Sequence, residues 1–318
     1  MRAAVFALLG IALSVPSLAG ENYALVLTGA SSGDPYAAKY TAWRRSFVST
    51  LRTKFAYPDD HVIVLAERAS AGDVRDVPDV SDLSVRAATR DEVRRTLVDL
   101  RSRLTKDDQL IVLLVGHGTT AEGPRGADAK FNLAGPDLRA SDWADLLKPL
   151  AARLIFVDTT AASFPFLRQL AGPGRIVITA TDSTAQEFET VFGEFFVRAF
   201  DDPSADADKN GRVSVFEAFT YASGAVRAWF EQRGQLPTER ALIDDSGDGA
   251  VARATFLQPP AAAAASGAAS VARRQRELES LIDDLKRRRS SMPRAAYDAE
   301  LERLLLELAR VSAQSRRP

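Results

Sequence analysis

The chain has 318 residues, of which 46% are hydrophobic, 26% charged and 8% aromatic, a balance typical of a folded globular protein. Its 41 Lys and Arg residues nearly equal its 42 Asp and Glu residues, so the net charge of −1 gives no general attraction to nucleic acid or to anionic membranes. The absence of cysteine excludes disulfides, zinc–thiolate sites, iron–sulfur clusters and thiol nucleophiles.

The N-terminal residues have the pattern of a secretory signal peptide. Arg2 precedes an apolar run over residues 3–15, and small residues follow at Ser17 and Ala19. The apolar run is shorter than the roughly 20 residues that span a bilayer, which disfavours the alternatives of a membrane anchor or a buried strand. We predict a signal peptide over residues 1–19 and a periplasmic or secreted mature chain without a transmembrane segment.

Five short runs rich in Val, Ile and Leu predict strands that are buried on both faces. They cover residues 23–28, 61–65, 109–115, 153–157 and 175–179. Helical segments lie between them. One begins with a capping box from Thr89 to Glu92, and a shorter one is expected to be capped by Ser141 or Asp142 and to run through Leu147. This alternation predicts an α/β domain over residues 20–257, with a mostly parallel sheet flanked by helices on both faces.

Two long polar segments, 68–88 and 119–130, interrupt this pattern and are interpreted as loops. The second directly follows a predicted strand. Because function in parallel sheets collects at the carboxyl ends of the strands, we expect this segment to line a site.

Residues 206–217 predict a calcium-binding loop of the EF-hand type. The side-chain oxygens at the ligand positions come from Asp206, Asp208, Asn210, Ser214 and Glu217. Arg212 occupies the position that contributes a backbone carbonyl, and Gly211 occupies the turn position. Helical patterns flank the loop, so we expect a structural Ca²⁺ site; the alternative is an acidic surface turn.

A second acidic segment, 244–249, begins like such a loop but has Thr255 where the final acidic ligand should stand. It is interpreted as a turn, and a weak or shared ion site there stays open.

From Gln258 the composition changes to Pro, Ala, Ser and Gly, which predicts a linker over residues 258–270. Leucines at heptad spacing then occur on either side of a break at residues 290–293, and they predict an antiparallel helical hairpin, or coiled-coil tail, over residues 271–318. Such a hairpin offers a surface for self-association.

The third and fourth strands end in segments that carry chemically informative residues. His117, one of two histidines, lies between Gly116 and Gly118 at the end of the third strand. Residues 156–163 end the fourth strand with Asp158 and Thr160 followed by Ser163. If these strands are parallel neighbours, His117 and Thr160 should lie side by side at the functional edge of the sheet.

These segments resemble the caspase-like and legumain-like cysteine peptidases, in which one strand ends in His-Gly and another in Asp-x-Cys-x-Ser-Gly. His117-Gly118 matches the first motif and Asp158 opens the second. The resemblance extends over about residues 21–250, and it implies a caspase-like sheet with a cleft that accepts an extended peptide.

The sequence departs from the family at the nucleophile, because Thr160 replaces the catalytic cysteine and Phe164 replaces the glycine after the serine. A hydroxyl group is a much poorer nucleophile than a thiolate unless a base activates it. We therefore expect an exported, non-catalytic protein that binds a peptide or protein partner. One alternative is a hydrolase in which His117 activates Thr160 or Ser163; another is a calcium-stabilised structural protein that oligomerises through its hairpin.

Overall fold

The computed structural model describes residues 20–67, 84–123, 126–259, 278, 282, 285, 286, 289 and 292–315. The predicted signal peptide and residues 260–270 of the predicted linker lie outside these ranges. The described chain has a mixed α/β fold, as the sequence predicts.

The main sheet of the described chain contains seven strands, and each neighbouring pair is parallel except the pair at one edge, where Leu242–Asp244 runs antiparallel to Arg175–Thr179. In spatial order these strands are β3 (Val85–Ala87), β2 (Val62–Ala66), β1 (Asn22–Thr28), β4 (Gln109–Val115), β8 (Arg153–Asp158), β9 (Arg175–Thr179) and β10 (Leu242–Asp244). The five predicted strands form the centre of this sheet, and their ends agree with the prediction within one residue.

Helices cover both faces of the sheet because side chains alternate along each strand. Val26 of β1 lies in the core on one face, whereas Leu25 lies in the core on the other. The helices are α1 (Asp34–Ser49), α2 (Arg90–Arg103), α3 (Ala140–Leu147), α4 (Phe164–Leu170), α5 (Phe192–Ala199), α6 (Val215–Glu231), α7 (Ala250–Ala254) and α8 (Arg294–Ser315).

The predicted helix starts are partly confirmed. The Thr89 hydroxyl caps α2 by accepting the backbone N–H of Glu92. For α3 the prediction of Ser141 or Asp142 as the cap is wrong, because the N-cap residue is Arg139. The Asp142 carboxylate instead accepts the Arg139 N–H from inside the first turn, while the Ser141 hydroxyl donates to Asp128.

The prediction of a loop over 119–130 is wrong. Strands β5 (Gly118–Gly123), β6 (Gly126–Phe131) and β7 (Leu138–Arg139) form a small antiparallel sheet. The hairpin packs onto the domain through the buried side chains of Phe131 and Asp128. The predicted loop over 68–88 likewise contains strand β3 at its end, while residues 68–83 lie outside the described ranges.

Part of the predicted C-terminal hairpin lies within the described residues. Leu278, Ile282 and Leu285 form an apolar cluster with Tyr297 and Leu304 of α8. Leu281, which also falls at the heptad spacing, lies outside the described residues. Within the part of the chain that the structure describes, no helix is long and apolar enough to cross a membrane.

Candidate functional site

The ends of β4 and β8 meet at the carboxyl edge of the sheet, as the sequence predicts. Leu114 of β4 pairs with Asp158 of β8, so the loops that follow these strands run side by side. Gly118 is required by this close approach, because a Cβ atom there would lie 2.3 Å from Thr160 Oγ1 and 2.3 Å from the Ala161 carbonyl oxygen.

His117 is held by partners other than the predicted hydroxyls. Its Nε2 lies 3.1 Å from the carbonyl oxygen of Ser31, and its Nδ1 lies 3.3 Å from Glu189 Oε2. A carbonyl and a carboxylate are both acceptors, and a neutral imidazole can donate to only one of them at a time. The His117 side chain is 22% exposed, and the hydrogen bonds of its ring nitrogens go to Ser31, Glu189 and Tyr40 rather than to Thr160 or Ser163.

Glu189 organises the polar side chains around His117. Its carboxylate accepts hydrogen bonds from the Tyr40 hydroxyl at 2.9 Å and from the Lys39 ammonium at 2.8 Å. Burial and the neighbouring negative charge of Glu189 raise the pKa of Tyr40 well above its usual value, so this hydroxyl stays protonated as a donor. We call His117, Glu189, Tyr40 and Lys39 the edge cluster. Sequence reasoning identified only the first of them.

The hydroxyls of the two candidate nucleophiles form hydrogen bonds with groups other than His117. The Thr160 hydroxyl is fully buried and donates to the carbonyl oxygen of Ala161 at 3.2 Å. Ser163 is also fully buried, and its hydroxyl lies 3.0 Å from Thr181 Oγ1 while it accepts the Thr181 N–H. Both hydroxyls therefore satisfy neighbouring groups in the interior.

Asp158 lies beneath the edge as a fully buried carboxyl group. One oxygen accepts the backbone N–H of Thr160 at 2.9 Å, whereas Oδ2 has no hydrogen-bond partner among the described residues. Burial, partly opposed by the hydrogen bonds from Thr160, raises the pKa of Asp158 to about 7. Below that pH the group is a neutral acid in the protein interior.

Two aromatic side chains face solvent near the edge cluster. The ring of Tyr36 contacts His117 edge-on, with 4.9 Å between centroids, and the residue is 38% exposed. Phe188, which precedes Glu189, is 70% exposed. The two rings therefore expose aromatic surface beside the edge cluster.

The predicted calcium loop gathers three carboxylates. One oxygen from each of Asp206, Asp208 and Glu217 lies within 4.8 Å of the others. The loop closes around them because Asp206 accepts the backbone N–H groups of Asn210 and Gly211. An all-oxygen anionic set of this kind fits a hard divalent cation such as Ca²⁺. We call Asp206, Asp208 and Glu217 the acidic cluster.

The other predicted ligands have structural roles. The Asn210 side-chain oxygen accepts the Arg212 N–H, and the guanidinium of Arg212 lies 3.9 Å from the centre of the Phe256 ring. Ser214 is the N-cap of α6: its hydroxyl accepts the Glu217 N–H, and the Glu217 carboxylate accepts the backbone N–H of Ser214, which completes a capping box.

The second acidic segment folds as a turn. The Asp245 carboxylate accepts backbone N–H groups of Gly247, Gly249 and Ala252, so it caps the short helix α7. These bonds occupy both carboxylate oxygens.

No protein-family model matches this chain, and the search of curated proteins finds no match. Among solved structures, the chain is similar to protein GSU0716 from Geobacter sulfurreducens, with 15% identity, a TM-score of 0.44, and coverage of 73% of this chain and 97% of that one. It is also similar to Raptor from Chaetomium thermophilum, with 10% identity, a TM-score of 0.32, and coverage of 59% of this chain and 19% of Raptor. Likenesses this remote carry no argument about fold or function.

Proposed function

We propose that this chain is a non-catalytic protein of the caspase-like type that binds a peptide or protein segment at the carboxyl edge of its sheet. The observation that carries this proposal is the arrangement of His117 between two acceptors, with Thr160 and Ser163 bonded elsewhere. A histidine that forms no hydrogen bond to a hydroxyl nucleophile lacks the geometry of a catalytic dyad.

The aromatic side chains that are exposed at the carboxyl edge of the sheet support the proposal of peptide or protein binding. Phe188 and Tyr36 offer aromatic surface next to groups whose hydrogen bonds are already satisfied. The motifs that resemble the peptidase family, His117-Gly118 and Asp158-Thr159, end neighbouring parallel strands, which is the edge where α/β proteins bind ligands.

The test combines an activity screen with a binding measurement. Purified mature protein incubated with a diverse peptide library should release no new N-terminus, and a hydroxyl-directed phosphonate should label neither Thr160 nor Ser163. Turnover that His117→Ala abolishes would instead establish a hydrolase. Peptides that bind in the same library should bind at least tenfold more weakly to Phe188→Ser, with Phe188→Tyr as the matched aromatic control.

We further propose that the acidic cluster holds Ca²⁺ and that the chain is exported. The cation would neutralise three converging carboxylates and order the start of α6. Equilibrium dialysis should show one bound Ca²⁺ per chain at millimolar free calcium; an unchanged ion content in Asp208→Asn would refute this site. Cleavage after Ala19, read by mass spectrometry of the periplasmic fraction, tests export.

We also propose that the C-terminal hairpin mediates self-association. Light scattering should then give a lower mass for a chain truncated after residue 270, and Leu304→Asp should reproduce that change because Leu304 is buried in the hairpin cluster. Equal masses would remove this role.

A further inference from the structure

A cavity of about 630 Å³ opens beside the carboxyl end of β9, one strand away from β8. This volume is in the range of small-ligand sites. Its apolar lining includes the rings of Phe192 and Phe219, whose centroids are 6.3 Å apart. Its charged lining consists of Asp182, Arg227, Glu239 and Arg240.

Glu239 contributes a buried carboxyl group to the lining of this cavity. It is 4% exposed, and its two oxygens accept the backbone N–H groups of Val191 and Phe192 at 2.8 and 3.2 Å. Burial, only partly offset by these hydrogen bonds, raises the pKa of Glu239 to about 7. A cation that entered the cavity would therefore stabilise the charged carboxylate.

The positive side chains of the lining are exposed to solvent. Arg240 has 77% of its side chain exposed and lies 3.5 Å from Asp182, whose side chain is only 25% exposed. Arg227 is an exposed residue of α6. The cavity thus places acidic groups in its interior and basic groups toward solvent.

We propose that this cavity binds the C-terminal residue of a peptide that ends in lysine or arginine. The side-chain cation would meet Glu239 and Asp182, its methylene groups would lie against Phe192 and Phe219, and the terminal carboxylate would meet the exposed arginines. This inference rests on the proposed peptide-binding function and adds the class of residue that the protein recognises.

The experiment uses the mature full chain and isothermal titration with N-acetylated Ala-Ala-Ala-Lys as the probe. Replacing lysine by norleucine removes the cation at nearly constant shape, and amidating the C-terminus removes the carboxylate. Each change should weaken binding about tenfold or more, because a charge-assisted hydrogen bond is lost. Absence of binding by the lysine peptide, or equal binding of the lysine and norleucine peptides, would overturn the inference.

Variants locate the site. Glu239→Gln should make the affinities for the lysine and norleucine peptides nearly equal. Glu231→Gln, on an exposed part of α6, should preserve the difference between them. Arg227→Ala should remove the preference for the free acid over the amide, with the exposed Arg153→Ala at the opposite edge as control. Arg227 is on the surface, so its variant tests the cavity even if Glu239→Gln fails to fold.

The outcome also separates this inference from the proposed function. If library peptides bind in a Phe188-dependent way and yet Glu239→Gln and Arg227→Ala leave binding unchanged, peptide binding at the edge stands and the cavity assignment falls. If the lysine peptide binds through Glu239 and the protein also hydrolyses it through His117, the cavity assignment stands and the non-catalytic proposal falls.

Discussion

The edge cluster and the acidic cluster are both built from ionisable side chains, but they differ in charge balance. Around Glu189, the negative charge meets the Lys39 ammonium at 2.8 Å and the His117 ring at 3.3 Å. In the loop, three carboxylates converge, and no ion pair to them is found within the described part of the chain. The Lys39 ammonium balances the charge of Glu189 in the first cluster, whereas the three carboxylates of the second repel one another, and a bound cation would offset that repulsion.

This difference indicates where each region gains its binding energy. A ligand at the edge has little unpaired polarity to satisfy near His117 and must rely on exposed surface such as Phe188. A cation in the loop, in contrast, gains directly from the uncompensated carboxylates. This contrast agrees with the proposal of a peptide or protein ligand at the edge and an ion in the loop.

The largest expected effect comes from Asp158, the buried carboxyl group whose Oδ2 has no hydrogen-bond partner among the described residues. Asp158 has a pKa of about 7 in the folded chain against an ordinary 3.8. Between about pH 4 and 7 the Asp158 carboxyl group is ionised in the unfolded chain but stays protonated in the folded chain. Its contribution to stability is therefore complete below about pH 4 and is lost as the pH rises to 7. The free energy of unfolding should fall by on the order of 4 kcal/mol across it.

Urea denaturation from pH 4 to 8 measures this fall. Asp158→Asn should remove most of the part due to this group, while Glu239, whose pKa is also raised to about 7, continues to act in the same direction. Exposed Asp107→Asn is the control. An unchanged pH dependence in Asp158→Asn would show that the edge holds a charged Asp158 without penalty.

Calcium should give the next largest effect, through the acidic cluster. At a free concentration about a hundredfold above the dissociation constant, binding adds about 3 kcal/mol and should raise Tm by about 5 to 10 °C. Differential scanning calorimetry with calcium and with chelator measures this increment, which Asp208→Asn should abolish and Asp107→Asn should preserve. Superimposable melting curves for the native chain would contradict the charge imbalance proposed for the loop.

Glu189→Gln should break the charge balance of the edge. The substitution keeps the shape but replaces the charged acceptor of Lys39, Tyr40 and His117, which should cost about 2 kcal/mol in the free energy of unfolding. Urea denaturation is the measurement. The neighbouring exposed Glu187→Gln is a matched control, and equal losses in the two variants would show that the network contributes no specific stability.

Ser214→Ala should give the smallest effect and separates helix capping from ion binding. Loss of the capping box at α6 should lower stability by about 1 kcal/mol, equally with calcium and with chelator. Thermal melts in both conditions measure it. A loss confined to the calcium-loaded protein would instead make Ser214 a ligand.

Features that depend on neighbouring residues could be predicted from the sequence, whereas features that depend on residues far apart in the chain could not. The acidic loop is specified within twelve consecutive residues, and each central strand is an uninterrupted apolar run, so both can be recognised locally. The partners of His117 cannot, because Tyr40 and Ser31 lie 77 and 86 residues away and meet it only through the sheet order.

The polar composition of segment 119–130 gives a wrong prediction because tertiary contacts outweigh local preference there. The segment 119–130 is rich in polar residues and was predicted as a loop, yet it forms a hairpin whose Asp128 is buried and hydrogen-bonded to Ser141. A polar side chain with a fixed partner behaves there as part of the core. Glu189 gave no sequence signal for the same reason, since its role depends on residues brought from α1.

An isolated β-bridge between Ser214 and Phe256 connects the end of the acidic loop to the segment that leads to the C-terminal residues. The Val215 N–H also donates to the Thr255 carbonyl, and the Arg212 side chain donates to that of Gln258, just where the chain leaves the α/β body. A bound ion would therefore help to hold the start of the C-terminal segment in place. Stripping the ion would loosen that anchorage, and trypsin would then cut first near Arg253.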